Sequence, residues 1–334
     1  MDRLAFRLLN EYQRDFPLVP RPFAEIAAGL RVSEAAVMRT FSGLLEDGKI
    51  GRIGAVFRPN TVGASALAAL AVPPSDLARV AEIVSALTEV NHSYEREHRY
   101  NLWFVVTAPD ASRVGAVLDR IDAECGLGAG KAVLTIPRAL RLPLEEEFHI
   151  DLGFDLSGGA VPRNGATTMQ PVTLGAAEQR LVAALERGIP LVPRPYAELG
   201  RAAVLTESET MEILRRWLDC GIVRRFGAVV RHLPLGYRAN AMVVWNVPDA
   251  DAGEAGRRAA ALPAVTLCYR RARQLPEWPC NLFCMIHAKQ REAAVRAIDE
   301  VTLAAGLARY PREVLFSRRC FAQRGARYAR VAHG

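Results

Sequence analysis

From Val90 to Phe104 the chain alternates and then turns apolar. Read as a strand, its period of two puts His92, Tyr94, Arg96 and His98 on one face, and Ser93, Glu95 and Glu97 on the other. A strand that only packs a core carries Val, Ile and Leu on its inner face. This one presents two imidazoles, a phenol and a guanidinium, which are proton donors and an anion clamp. The plainer reading of the same residues is a solvated edge strand with weak Glu–Arg surface pairs.

The patterning elsewhere is written twice. Leu18-Val19-Pro20-Arg21-Pro22-Phe23 returns as Leu191-Val192-Pro193-Arg194-Pro195-Tyr196, and Gly54-Ala55-Val56-Phe57-Arg58 as Gly227-Ala228-Val229-Val230-Arg231, both 173 residues later. Tyr94-Glu95-Arg96 returns at Tyr269, and Asn101-Leu102-Trp103-Phe104 at Asn281. A long period kept this consistently predicts two homologous halves. Between them, residues 153–172 are rich in Gly, Pro and polar side chains and read as a linker.

Each half splits again. Residues 1–60 predict helices at Ala5–Arg14 and Phe23–Leu30. A third is capped by Ser33 and stopped at Gly48, and Ile50–Arg58 reads as a hairpin-like wing. This is a winged helix-turn-helix pattern. Residues 173–233 repeat it, with Thr206 as cap, Gly221 as stop and Ile222–Arg231 as wing. Residues 61–152 predict strands at Ser65–Val72, Val90–Glu97, Tyr100–Ala108 and Ala132–Arg138, with helices at Pro74–Thr88 and Ala111–Cys125. That βαββαβ order is ferredoxin-like. Residues 234–334 follow with strands at Ala239–Val247, Val265–Arg273, Asn281–His287 and Val314–Arg319, and helices at Ala252–Leu262 and Arg291–Ala305. The expected fold class is α+β, in two tandem copies.

Half of the 334 residues are hydrophobic and the net charge is +7, which suits a globular chain rather than a disordered one. Of 43 basic residues only Lys49, Lys131 and Lys289 are lysine. Arginine suits bidentate contact with carboxylate or phosphate, although the codon bias of a GC-rich genome would give the same excess. The six cysteines contain no Cys-x-x-Cys, so neither a zinc site nor a redox motif is indicated and reduced thiols are expected. No signal-peptide pattern or membrane-length apolar run occurs, so a soluble, cytoplasmic protein without a membrane partner is expected. Glu145-Glu146-Glu147 reads as a solvated run, and Gly126–Gly130 as a turn without the strand–helix context of a dinucleotide loop. His149 and His333 are given no role.

A basic chain with winged helices invites a nucleic-acid reading. The candidate recognition helix of the second half opens Thr206-Glu207-Ser208-Glu209-Thr210-Met211-Glu212, however, offering three carboxylates to a polyanion. Nucleic acid is therefore disfavoured as a partner. The helical domains are expected to pair with each other or with the sheets.

The duplicated Pro-Arg-Pro-Phe/Tyr and Gly-Ala-Val-x-Arg segments carry a resemblance over nearly the whole chain, together with Val90–Phe104, Leu267–Arg271 and Trp278–His287. The sequence resembles the siroheme decarboxylase family, whose architecture is that of Lrp/AsnC regulators. Half one is similar to the D-type subunit and half two to the L-type, fused. The resemblance implies loss of the C12 and C18 acetate carboxyl groups of siroheme as CO2. The product would be 12,18-didecarboxysiroheme, for heme d1 or alternative heme biosynthesis. It implies an iron tetrapyrrole as substrate, no separate cofactor, and a homo-oligomer or a complex with further subunits. The alternatives are an Lrp/AsnC-type ligand-responsive regulator and a non-catalytic tetrapyrrole carrier.

The residues fit that chemistry. Losing CO2 from a pyrrole acetate leaves a methyl group, so a proton must reach carbon, and imidazole is a natural donor. His92 and His98 are the general-acid candidates, with Arg96 and Tyr94 beside them. Arg58, Tyr100, Asn101, Trp103, Arg231, His232, Tyr269, Arg271, Arg273, Trp278 and His287 are the candidates for holding substrate. No protein metal site is expected, and His232 or His287 is the candidate axial ligand to the substrate iron. In the second half Leu267 takes the His92 position, Arg271 that of Arg96 and Arg273 that of His98. The halves are therefore not equivalent, and the chemistry is expected at half one.

Overall fold

The structure, a computed structural model, describes residues 1–126, 136–149 and 171–329. The first copy opens with α1 (Arg3–Glu11), α2 (Pro22–Leu30), α3 (Glu34–Glu46) and β1 (Ile50–Phe57). It continues as β2 (Ala64–Leu70), α4 (Leu77–Ala86), β3 (Val90–Arg96), β4 (Leu102–Ala108), α5 (Ala111–Cys125) and β5 (Leu140–His149). The second repeats this as α6 (Ala176–Leu185), α7 (Pro195–Ala203), α8 (Glu207–Asp219) and β6 (Val223–Val230). Then follow β7 (Ala239–Trp245), α9 (Asp249–Ala260), β8 (Val265–Arg271), β9 (Leu282–Ala288), α10 (Arg291–Ala304) and β10 (Arg312–Gln323).

Local chemistry sets these boundaries. Asp2 Oδ1 accepts the Ala5 N–H at 2.7 Å, so α1 starts before the expected Ala5. Ser33 Oγ accepts the Ala36 N–H at 3.2 Å, and Thr206 forms a capping box with Glu209. The duplicated Pro-Arg-Pro arginines reach the first residue of the third helix: Arg21 pairs with Glu34 at 2.5 Å, and Arg194 with Glu207. These carboxylates hold the helix-turn-helix together locally.

Each wing is a single strand, not the expected hairpin. β1 pairs antiparallel with β6 about Gly54↔Gly227, so each copy completes the other's ladder. One core then serves both winged helices, with Phe16, Phe23, Phe41, Tyr196, Trp217 and Phe226 buried in it. Burying each such ring stabilises by roughly 1.5–3 kcal/mol.

The remaining strands close into one barrel in the order β10-β3-β4-β2-β5-β8-β9-β7. The two long fourth strands close it. β5 pairs with β2 up to Pro143 and then with β8 from Leu144. β10 pairs with β7 up to Phe316 and then with β3 from Ser317. Helices α4 and α5 cover one outer face over Val90, Phe104 and Val106, and α9 and α10 cover another over Val243, Trp245 and Ile286. Inside lie Trp103, Trp278, Phe283, Leu142 and Leu315.

β5 corrects the sequence reading of residues 140–149. Glu147 is buried and ion-paired with Arg224, and Glu145 and Glu146 reach Arg270 at 3.1 and 3.7 Å. The run is a strand facing arginines across the copy boundary, solvated at Glu145 but buried at Glu147. Residues 132–135 of the strand expected at Ala132–Arg138, residues 127–130 of the Gly126–Gly130 turn, His333 and most of the linker lie outside the described residues. No described helix is long and apolar enough to cross a membrane.

Candidate active site

The alternation of β3 places side chains as the sequence suggests, up to Arg96. Ser93 pairs with Phe104 and faces the helices, whereas Tyr94 pairs with Trp103 and faces the barrel interior. His92 stacks near Tyr94 with ring centroids 6.3 Å apart, and the Arg96 guanidinium lies 5.6 Å from the Tyr94 ring centre. The three side chains form one continuous row.

The second copy completes this row. Arg231, just past β6, donates from Nη2 to Gln323 O at 3.3 Å, and Gln323 is the register partner of His92. A Cβ at Gly51 would sit 3.3 Å from Arg231 Nε, so the glycine leaves room for the guanidinium. The next residue, His232, stacks on His287 of β9 at 4.5 Å. His287 Nδ1 lies 2.9 Å from Thr266 Oγ1. Arg96 donates from Nη1 to Leu315 O at 3.0 Å, and its Nη2 lies 4.0 Å from Met285 Sδ. The Arg96 charge acts on His287, and the Arg231 charge on both His92 and Tyr94. His92, Tyr94, Arg96, His287, His232 and Arg231 thus form one electrostatically linked group drawn from both copies.

Its electrostatics are those of a cationic site held out of water. Burial, then Arg52 and Arg231, lowers the His92 imidazole to about 4. Burial, then His232 and Arg96, lowers His287 well below the usual imidazole value. Burial keeps the Tyr94 phenol protonated far into the alkaline range, with Cys320 adding to the effect. Arg96 itself is brought down to about 10 by burial. None of the described ion pairs involves Arg96, Arg231 or Arg271. A buried guanidinium without an anion costs several kcal/mol, and an anion placed beside it would offset that cost.

Several sequence candidates sit elsewhere. β3 ends at Arg96, so His98 leaves the row and lies in the following turn. Its Nε2 meets Glu313 Oε2 at 2.5 Å, its Nδ1 accepts the Tyr100 N–H at 3.0 Å, and its ring abuts Trp278 at 5.6 Å. Both nitrogens are therefore engaged structurally. Trp103 donates to Tyr100 O at 2.7 Å and packs on Trp278 at 5.0 Å, so Tyr100, Trp103 and Trp278 are core. Asn101 clips the Val72 backbone with both amide atoms, as Asn281 clips Val247. Arg273 is held by Asp249 and by Pro279 O at 2.9 Å. Arg58, Tyr269 and Arg271 occupy the symmetry-related position.

The sequence reading missed Arg52, Met285 and Cys320. Cys320 is the register partner of Tyr94, and only the repeat offset, which aligns it with Glu147, could have singled it out. Among the described residues, no cluster of three or more His, Cys, Asp or Glu could hold a metal ion.

Comparison with known proteins agrees with this architecture. Residues 6–50 and 178–224 match the siroheme decarboxylase NirDL-like HTH domain, and residues 62–141 and 234–322 match the AsnC-like ligand binding domain. The siroheme decarboxylase NirDL subunit of Paracoccus denitrificans is 44% identical over 99% of both chains. The siroheme decarboxylase NirD subunit of Pseudomonas aeruginosa is 46% identical over 47% of this chain and 97% of its own. A crystal structure of the siroheme decarboxylase NirDL in co-complex with an iron-uroporphyrin III analogue superposes with a TM-score of 0.65 at 27% identity, covering 98% of this chain and 94% of that one. The chain belongs to the siroheme decarboxylase family, as a member with its two halves fused.

Proposed function

We propose that the chain decarboxylates siroheme at the face formed by His92, Tyr94, Arg96, Arg231, His232 and His287. The carboxyl groups of the C12 and C18 acetates leave as CO2, giving 12,18-didecarboxysiroheme on a route to heme d1. The supporting observation is buried positive charge with no described carboxylate partner, set beside an imidazole and a phenol. Substrate carboxylates supply the missing anions, and charge-assisted contacts to Arg96 and Arg231 orient the ring.

Each event breaks the bond between the acetate methylene and its carboxylate carbon. The electron pair stays on the methylene carbon, delocalised into the pyrrole, and CO2 departs. One proton delivered to that carbon gives the methyl group, with no net oxidation or reduction. His92 is the donor in this reading. It is neutral at pH 7 because burial, and then the Arg52 and Arg231 charges, oppose its protonation. Bound carboxylates neutralise those arginines and let the imidazole take up the proton it delivers. Tyr94, held as a phenol, donates a hydrogen bond to the same substrate edge, and His232 or His287 faces the iron.

Anaerobic incubation with siroheme, followed by mass spectrometry, tests the assignment. The expected result is product lacking two CO2. Unchanged siroheme bound stoichiometrically would instead support a carrier.

A further inference from the structure

The repeat gives the site a twin. Arg58, Tyr269 and Arg271 stand where Arg231, Tyr94 and Arg96 stand, and Arg271 Nη1 donates to Leu142 O at 2.9 Å as Arg96 does to Leu315 O. Three positions differ. Leu267 replaces His92, Arg224 replaces Gly51, and Glu147 replaces Cys320. The register confirms the last equivalence, because Glu147 pairs with Tyr269 as Cys320 pairs with Tyr94.

These changes act together. At the first position the Arg231 guanidinium lies against Gly51, with Nε 3.3 Å from where a Cβ would sit, and burial raises the neighbouring Cys320 thiol so that it carries no charge. At the second, the residue matching Gly51 is Arg224, whose side chain pairs with Glu147. The two side chains are only 4% and 6% exposed. Arg224 also lies close enough to Arg58 and Tyr269 for their charges to act on it. The Arg224 cation has its anion inside the protein, and an apolar side chain, Leu267, stands in place of the imidazole.

We infer that the buried Arg224–Glu147 pair, together with Leu267, fills the twin position so that each chain binds one tetrapyrrole. The inference rests on the functional reading above in taking the open position as a carboxylate site. It adds that the closed position is a filled copy of it.

Titration of the intact chain with iron uroporphyrin III, followed by the porphyrin absorbance change, tests this. Wild type is expected to saturate at one equivalent per chain. The Glu147→Cys/Arg224→Gly/Leu267→His variant, which copies the first position, is expected to take up a second. Two equivalents on wild type, or one on the folded triple variant, would overturn the inference while leaving the functional reading intact. No binding to wild type would overturn both. Should the triple variant fail to fold by circular dichroism, Glu147→Ala alone, which frees the Arg224 guanidinium, is expected to bind a second, weaker equivalent, and saturation at one would count against the inference.

Discussion

At the scale of single residues, the account turns on His92 and Arg96. The His92 imidazole is held near 4 in the folded chain, against about 6.5 unfolded. The unfolded chain therefore binds a proton between those values that the folded chain refuses, so stability rises with pH through this window and is lost as pH falls from 6.5 toward 4. His287 acts in the same direction. The full His92 contribution is on the order of 3–4 kcal/mol, at roughly 1.4 kcal/mol per unit. Urea unfolding of wild type and His92→Leu at pH 7 and pH 5 checks this, and the variant is expected to lose less stability between the two. Arg96 is a different case, because a planar fork joins the Tyr94 face, the Leu315 carbonyl and the Met285 sulfur. Arg96→Lys keeps the charge but not the fork. It is expected to weaken iron uroporphyrin III binding by about 1.5–3 kcal/mol, roughly ten- to a hundredfold, and unchanged affinity would remove Arg96 from the site.

Elements explain which residues could be read from sequence. The alternation that put His92, Tyr94 and Arg96 on one face holds because β3 is a paired strand over those residues. It fails at His98 because the chain turns after Arg96, and periodicity carries no signal for where a strand ends. Asn101 looked functional because it recurs as Asn281, yet both are clips that hold a loop to its neighbouring strand. Repetition marks what the fold needs in both copies, whereas the chemistry shows where the copies differ. The helix-covered faces show the same asymmetry. A Cβ at Gly256 of α9 would overlap the ring of Phe148, which is buried against it. The equivalent residue in α4 is Ala81, and the equivalent ring, Phe321, is only half-buried. Gly256→Ala is expected to cost about 1–3 kcal/mol through overpacking, measurable as a fall in Tm. Ala81→Gly lacks that clash and is expected to cost only about 0.5–1 kcal/mol as a helix glycine.

On the scale of the whole molecule, the duplication is the device that builds the site. Neither half closes its own sheet or ladder: β5 and β10 cross to the other copy's second strand, and β1 needs β6. That exchange brings Arg231 and His232 of one copy onto the His92–Tyr94–Arg96 row of the other. The two-copy organisation and each copy's βαββαβ order were legible from the repeat and its patterning. The cross-copy contacts were not, because they depend on pairing between strands more than a hundred residues apart in sequence, which no local pattern encodes. The same topology leaves His92 and His98 with separate tasks on one ribbon, and comparing them tests the account most directly. Initial rates of CO2 loss from siroheme under anaerobic conditions are expected to fall about 10²–10⁴-fold in His92→Ala, the usual contribution of a positioned acid. In His98→Gln the rate is expected to remain within about tenfold of wild type, with the loss appearing as lowered Tm. Wild-type rates in His92→Ala would contradict the account, as would a collapse of turnover confined to a fully folded His98→Gln.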